Sequence, residues 1–192
     1  MLKRYSAWLR RVSTGWVALA ALVVFVLFLA LVLPGQAAEA ERFVGDAGSP
    51  DTSFLYSAAD LYRMAEAYGP QGRQAYIRAR FTFDLLWPVV YTMFLVTAIS
   101  WVYRRAFAAD SRWQLANLAP VLGIALDYLE NVSAALVMAR YPQLTAVVAE
   151  LTPVFTSLKW VFVNGSFVLL LLGVVVGVWR WRKQSNRNTR GD

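Results

Sequence analysis

The sequence predicts an all-α, polytopic membrane protein with four spanning helices, and three observations carry that expectation. The chain is 58% hydrophobic and only 16% charged, against roughly 45–50% apolar residues in soluble domains. Four runs, at about 16–33, 81–103, 115–138 and 153–178, each approach or exceed the roughly 18 apolar residues that cross hydrocarbon. Lys and Arg collect at the ends of those runs rather than inside them, as membrane topology requires. The expected unit is one domain over residues 1–183, followed by a disordered tail at 184–192.

The first run follows a basic segment holding Lys3, Arg4, Arg10 and Arg11. Pro34-Gly35 is expected to end it. Ala38-Glu39-Ala40 offers a signal-peptide cleavage site as an alternative, but signal cores run to about 15 residues and this one is longer. The reading is therefore an uncleaved helix. Residues 39–50 are polar and rich in Gly and Ala, and read as a loop. Ser57 to Tyr68 has helical character and stops at Gly69-Pro70. Its Leu61, Met64, Ala65 and Tyr68 share one face, suited to packing on the membrane-spanning core. The expected non-spanning segment is 34–80, on the extracytoplasmic side. The second run contains Pro88, which frees a backbone carbonyl that neighbouring helices must satisfy. Arg104-Arg105, Arg140-Tyr-Pro142 and Trp179-Arg-Trp-Arg-Lys183 close the second, third and fourth runs.

Counting charges sets an expected orientation. The N-terminus, the 104–113 connection and the C-terminal tail hold four, three and five of the 19 Lys and Arg residues. The positive-inside rule then places both termini in the cytoplasm. Trp16, Trp101, Trp113, Trp179 and Trp181 fall at the same ends, as an interfacial belt does. The net charge of +7 is explained this way, with no aromatic and basic module for nucleic acid. The expected location is the bacterial inner (plasma) membrane, crossed several times. Expected partners are membrane lipids, with a homo-oligomer or a second membrane protein as further candidates.

Cysteine and histidine are both absent. Disulfides, Cys/His zinc sites and His-ligated haem are thereby removed. So is the usual near-neutral general base. No cofactor is expected. Nucleophile-elbow, phosphate-loop and HExxH patterns are missing too, so an enzyme is not the favoured reading.

The most informative feature is a polar constellation inside the apolar runs. Asp127, Glu130 and Asn131 stand within little more than one turn of the third run. A lone charge near a helix centre costs about 2.5–3.5 kcal/mol on insertion scales, so these groups need partners, water or a ligand. Arg73, Arg80, Asp84 and Tyr91 share a stripe at spacings of seven, four and seven; Thr152, Lys159, Ser166, Gly173 and Gly177 share another. At about 1.5 Å of rise per residue, Asp84, Glu130 and Lys159 reach similar depths. Asn164 projects away from the fourth-run stripe. The candidate ligand- or proton-binding residues are Arg80, Asp84, Tyr91, Asp127, Asn131, Glu130 and Lys159. Three carboxyls face two cations, and Asp127, the deepest, is expected to hold a proton. A metal site is not expected.

The segments Tyr68-Gly-Pro-Gln-Gly-Arg73, Asp84-x-x-x-Pro88-x-x-Tyr91 and Asp127-Tyr-Leu-Glu130-Asn131 resemble small uncharacterised bacterial membrane proteins with four spanning helices. The resemblance covers roughly residues 56 to 180. It implies the same four-helix organisation and no activity.

Three functions remain open. The leading one is binding or passage of a small or amphiphilic solute, or a proton, through the cluster. The second is an assembly subunit whose cluster only fixes helix packing. The third is an intramembrane enzyme using Asp84 and Asp127 as an acid/base pair. Passage requires a cavity that reaches Asp127, and four helices would need an oligomer for it. A scaffold requires paired charges in a dry core. An enzyme requires an unpaired carboxyl beside a ligand-sized hollow.

Overall fold

The structure, a computed structural model, describes residues 1–188. The described residues form helices and the turns that connect them, with no strand among them. Four helical stretches, Gly15–Val44, Gly69–Ala106, Arg112–Arg140 and Ala146–Asn186, are long and apolar enough to cross a membrane.

Helix α1 (Leu2–Val12) is amphipathic. Its Ser6 and Leu9 are buried, while Tyr5, Trp8 and Val12 are exposed. A polar knot clamps it to the rest of the chain. Ser6 Oγ donates to Asn117 Oδ1 at 2.8 Å, and Asn117 Nδ2 donates to Ser100 Oγ at 2.9 Å. Arg104 donates to the carbonyls of Arg10 and Ser13 at 2.8 and 2.9 Å. Thr14 then caps α2 (Gly15–Leu27) by accepting the Val17 amide.

Beyond α2 the helix does not end at Pro34-Gly35 as expected. A π-helical turn at Phe28–Val32 passes directly into α3 (Leu33–Val44). Pro34 falls in the first turn of α3, where its missing N–H costs little, and the π turn absorbs the change of register. The expected loop at 39–50 is thus helical to Val44. Short 3₁₀ turns at Gly45–Ala47 and Pro50–Thr52 follow.

Helix α4 (Ala58–Ala67) starts at a capping box formed by Ser57 and Asp60, which satisfies two of the free amides at its start. The predicted face of Leu61, Met64, Ala65 and Tyr68 is buried, together with Tyr76, Ala134, Val137, Met138 and Ala149. Gly69, at φ +61°, breaks the chain direction in a region that a side chain rarely adopts. Pro70 then opens α5 (Gly69–Arg80). After a turn at Phe81 and Thr82, α6 (Phe83–Ala106) runs through the fully buried Pro88.

A 3₁₀ segment at Arg112–Leu118 leads into α7 (Ala119–Arg140), and α8 (Ala146–Asn188) follows. Residues 184–188 continue α8 where a disordered tail was expected; the rest of that tail, 189–192, lies outside the described residues. The α7–α8 contact is the most extensive in the fold, followed by α6–α8 and α2–α6. Gly173 of α8 lets the Tyr103 ring of α6 lie directly on its backbone. Tyr103 is 1% exposed and donates its hydroxyl to the Leu169 carbonyl at 2.8 Å.

Candidate functional site

The charged groups predicted from three separate runs converge. Asp84 lies on α6, Asp127, Glu130 and Asn131 on α7, and Lys159 on α8, with Arg80 at the end of α5. All six side chains are buried. Lys159 Nζ meets Glu130 Oε2 at 2.5 Å, and Glu130 is wholly buried. Arg80 meets Asp84 at 2.9 Å, one turn further along the chain. Arg80 also donates to Asn131 Oδ1 at 3.3 Å. Each cation therefore takes one of the carboxyls assigned to the pair.

Asp127 is handled differently. Among the described residues, no cation forms an ion pair with it. Asn131 Nδ2 donates to Asp127 Oδ1 at 3.2 Å, and the Tyr91 hydroxyl donates to Asp127 Oδ2 at 2.7 Å. The result is a hydrogen-bonded line from Arg80 through Asn131 and Asp127 to Tyr91. Beyond Tyr91 the interior is formed mainly by Phe94, Leu95, Ala98, Ile99 and Val163, and the buried hydroxyls of Thr97 and Ser166 there donate to carbonyls of their own helices. The next polar group inward along α6 that joins a network is Ser100, in the knot that holds α1.

One member of the cluster has no counterpart among the residues singled out from sequence. Asp51, in the 3₁₀ turn Pro50–Thr52, forms an ion pair with Arg80. Its other oxygen lies 3.8 Å from Lys159 Nζ. The cluster thus holds four carboxyls and two cations, where sequence identified three and two. Burial pushes the Asp51 carboxyl up, but the Arg80 guanidinium and the Lys159 ammonium more than offset that, so it titrates below its usual 3.8. No spacing rule reveals such a residue. Asp51 stands in an aperiodic Gly/Ser/Pro stretch, and distant contacts seat it: Tyr68 donates to the Gly48 carbonyl at 2.6 Å, and Ser157 donates to the Phe54 carbonyl at 3.0 Å.

Above the cluster lies a cavity of about 710 Å³ between α3, the 45–52 turns and α5. Its apolar wall includes Phe43, Val44, Ala75 and Ala79; its polar rim includes Glu39, Glu41, Gln71 and Arg78. Asp51, Tyr76 and Arg80 also line it, so cavity and cluster share two charged residues. The Arg80 guanidinium sits 4.5 Å from the Tyr76 ring centre, in cation–π range. Two polar atoms of these lining residues have no hydrogen-bond partner within the described protein: the Tyr76 hydroxyl and Arg80 Nε. Both residues are more than nine-tenths buried. Buried polar atoms of this kind are normally satisfied. Asp84, Tyr91, Asp127, Glu130, Asn131 and Lys159 do not line this cavity. Among the described residues, no group of three or more carboxylates is arranged to hold a metal ion.

Comparison of the chain with protein-family models, with curated proteins and with solved structures finds no match.

Proposed function

We propose that the chain is an inner-membrane protein that binds an amphiphile in the cavity above the Asp51–Arg80 pair, from the extracytoplasmic side. The observation that carries this reading is the sharing of Asp51 and Arg80 between the cavity and the buried cluster. The Tyr76 hydroxyl and Arg80 Nε offer donors to a polar end of the ligand. Phe43, Val44, Ala75 and Ala79 offer an apolar wall to its tail. A hollow of this size, with an apolar wall on one side and polar and charged groups at its rim and floor, falls in the range of small-molecule sites and matches a ligand with both characters. Both termini are cytoplasmic in this reading. The excess of Lys and Arg at that end supports it, as do the contacts of α1 with Arg104 and of Arg180 with Phe107.

Binding is favoured over passage by the apolar interior beyond Tyr91. A route for solute or proton would have to continue past the apolar side chains of Phe94, Leu95 and Ile99. Asp127 lies next to Tyr91, the inner end of the hydrogen-bonded line, and outside the cavity lining. An enzymatic reading needs a free carboxyl facing the hollow. Asp84 and Asp127, the acid/base pair of that reading, do not line the cavity, and Asp51, the cluster carboxyl that does, is held between Arg80 and Lys159, which leaves the rim carboxyls Glu39 and Glu41 outside the cluster. The assembly-subunit alternative draws support from Glu130–Lys159 and Arg80–Asp84, since both cations are paired in a buried core.

Native mass spectrometry tests the reading. The protein is reconstituted in phosphatidylethanolamine/phosphatidylglycerol vesicles and released with mild detergent. Wild type should retain one phospholipid per chain. Ala79→Trp, which fills the cavity from α5, should retain at least tenfold less. Equal retention by the two proteins would favour the assembly role instead.

A further inference from the structure

The outward side of α8 carries one residue that a lipid-facing surface does not explain. Val161, Val168, Leu171 and Val175 are exposed. They lie three, four, seven and eleven residues from Asn164, on the same side of the helix. Asn164 is exposed with them, while its neighbours Val163 and Ser166 are buried. It stands beside the midpoint of the apolar run 153–178, the deepest level of hydrocarbon. It makes no hydrogen bond with any described residue. Acyl chains cannot satisfy an amide, and a polar group left bare at that depth is costly. The cluster does not use Asn164, and neither does the cavity.

We propose that Asn164 seats a parallel, two-fold contact between α8 helices of two copies of this chain. Depth selects the occupant. A second copy inserted in the same orientation carries Asn164 at the same level, whereas any other partner must bring its own polar group there. The chemistry is also self-complementary. An amide has both a donor and an acceptor, so two of them about a two-fold axis satisfy each other, and the interface is isologous. Room for the approach is present: a Cβ on the adjacent Gly165 would meet nothing within 4 Å. Bare backbone of this kind lets membrane helices come close. A single buried Asn also fixes register between helices, which the flanking Val and Leu side chains alone would not do.

The absence of cysteine makes the test clean. Val168→Cys places the sole thiol one turn from Asn164 on the proposed face, and Leu122→Cys places one on an exposed face of α7. After oxidation in native membranes, Val168→Cys should give a covalent product of twice 21.5 kDa, and Leu122→Cys should give none. Adding Asn164→Leu should raise the dissociation constant about tenfold, the worth of two interhelical hydrogen bonds, and cut the cross-linked yield at micromolar dilution. Asn164→Gln should retain it. Single-molecule photobleaching in vesicles reads the same equilibrium without a thiol, comparing wild type with Asn164→Gln and Asn164→Ala. Cross-linking that ignores Asn164→Leu, single bleaching steps for wild type, or a product of another mass would each overturn the proposal.

Discussion

Lys159 and Glu130 meet at 2.5 Å in the interior, with Glu130 wholly buried. Removing one partner of a buried pair leaves the other charge uncompensated, at a cost of about 3–5 kcal/mol. Lys159→Ala should therefore lower folded yield and thermal stability in detergent strongly. The double variant Lys159→Met/Glu130→Gln should recover most of the loss, because it removes both charges. A double variant no better than the single one would show that the pair is not the source of the effect.

Asp127 should behave differently. Its oxygens accept from Tyr91 and Asn131 and form no ion pair among the described residues. Asp127→Asn keeps the shape and one acceptor for the Tyr91 hydroxyl. A loss of about 1 kcal/mol is expected, typical of one altered hydrogen bond. Tyr91→Phe should cost a similar amount or up to about 3 kcal/mol, since it leaves a buried carboxyl oxygen unsatisfied. Thermal unfolding of the two variants beside Lys159→Ala checks the ranking. Unfolding of Asp127→Asn with tolerance of Lys159→Ala would reverse the roles given to them.

The Asp51 strap predicts a pH dependence. The folded protein holds Asp51 ionised to a lower pH than the unfolded chain does, because Arg80 and Lys159 outweigh the effect of burial. Its contribution is therefore present above the ordinary carboxylate value of 3.8 and is lost as pH falls through the lower folded value. Protection of residues 48–57 from hydrogen exchange, taken relative to the intrinsic rate at each pH, should fall as the solution is acidified below that point. In Asp51→Asn, exchange in the same segment should be faster at neutral pH and lack that acid step. An identical acid step in both proteins would assign it to another group.

Close packing of α6 on α8 gives a contrast between two glycines. A Cβ at Gly173 would collide with the Tyr103 ring, whereas at Gly177 the nearest atom is the Ala106 Cβ at 3.9 Å. Gly173→Ala should displace Tyr103 from the Leu169 carbonyl and cost about 1–3 kcal/mol, as overpacking does. Gly177→Ala should be neutral or stabilising, since Ala is favoured over Gly inside a helix by about 1 kcal/mol. Thermal stability of the two variants decides it.

These relationships differ in how far the sequence reveals them. Asp84, Asp127, Glu130 and Lys159 stand out because a charge inside an apolar run is conspicuous, and helical spacing then gives its face and depth. Arg80 follows from its spacing of four from Asp84. Asp51 stays hidden because a loop has no period, and its place depends on Tyr68 at the α4–α5 junction, Ser157 of α8 and Arg80 of α5, all distant in sequence. The continuation of α3 past Pro34-Gly35 is hidden for another reason. That pair ordinarily terminates a helix, and the π turn that accommodates it leaves no mark in a run of Leu, Ala and Val. The cavity depends on both missed features, since α3 forms one wall and Asp51 part of the floor.

The most direct test uses single cysteines in the cysteine-free chain and a membrane-impermeant maleimide on intact spheroplasts. Ala75→Cys, on the cavity wall, should label rapidly from outside. Asp127→Cys, beneath the Asp51–Arg80 pair and short of the apolar interior, should stay unlabelled from either side until the protein is unfolded. Ready labelling of Asp127→Cys from the cytoplasmic face, or of Ala75→Cys from that face alone, would contradict a pocket that opens outward and ends at a sealed charged floor.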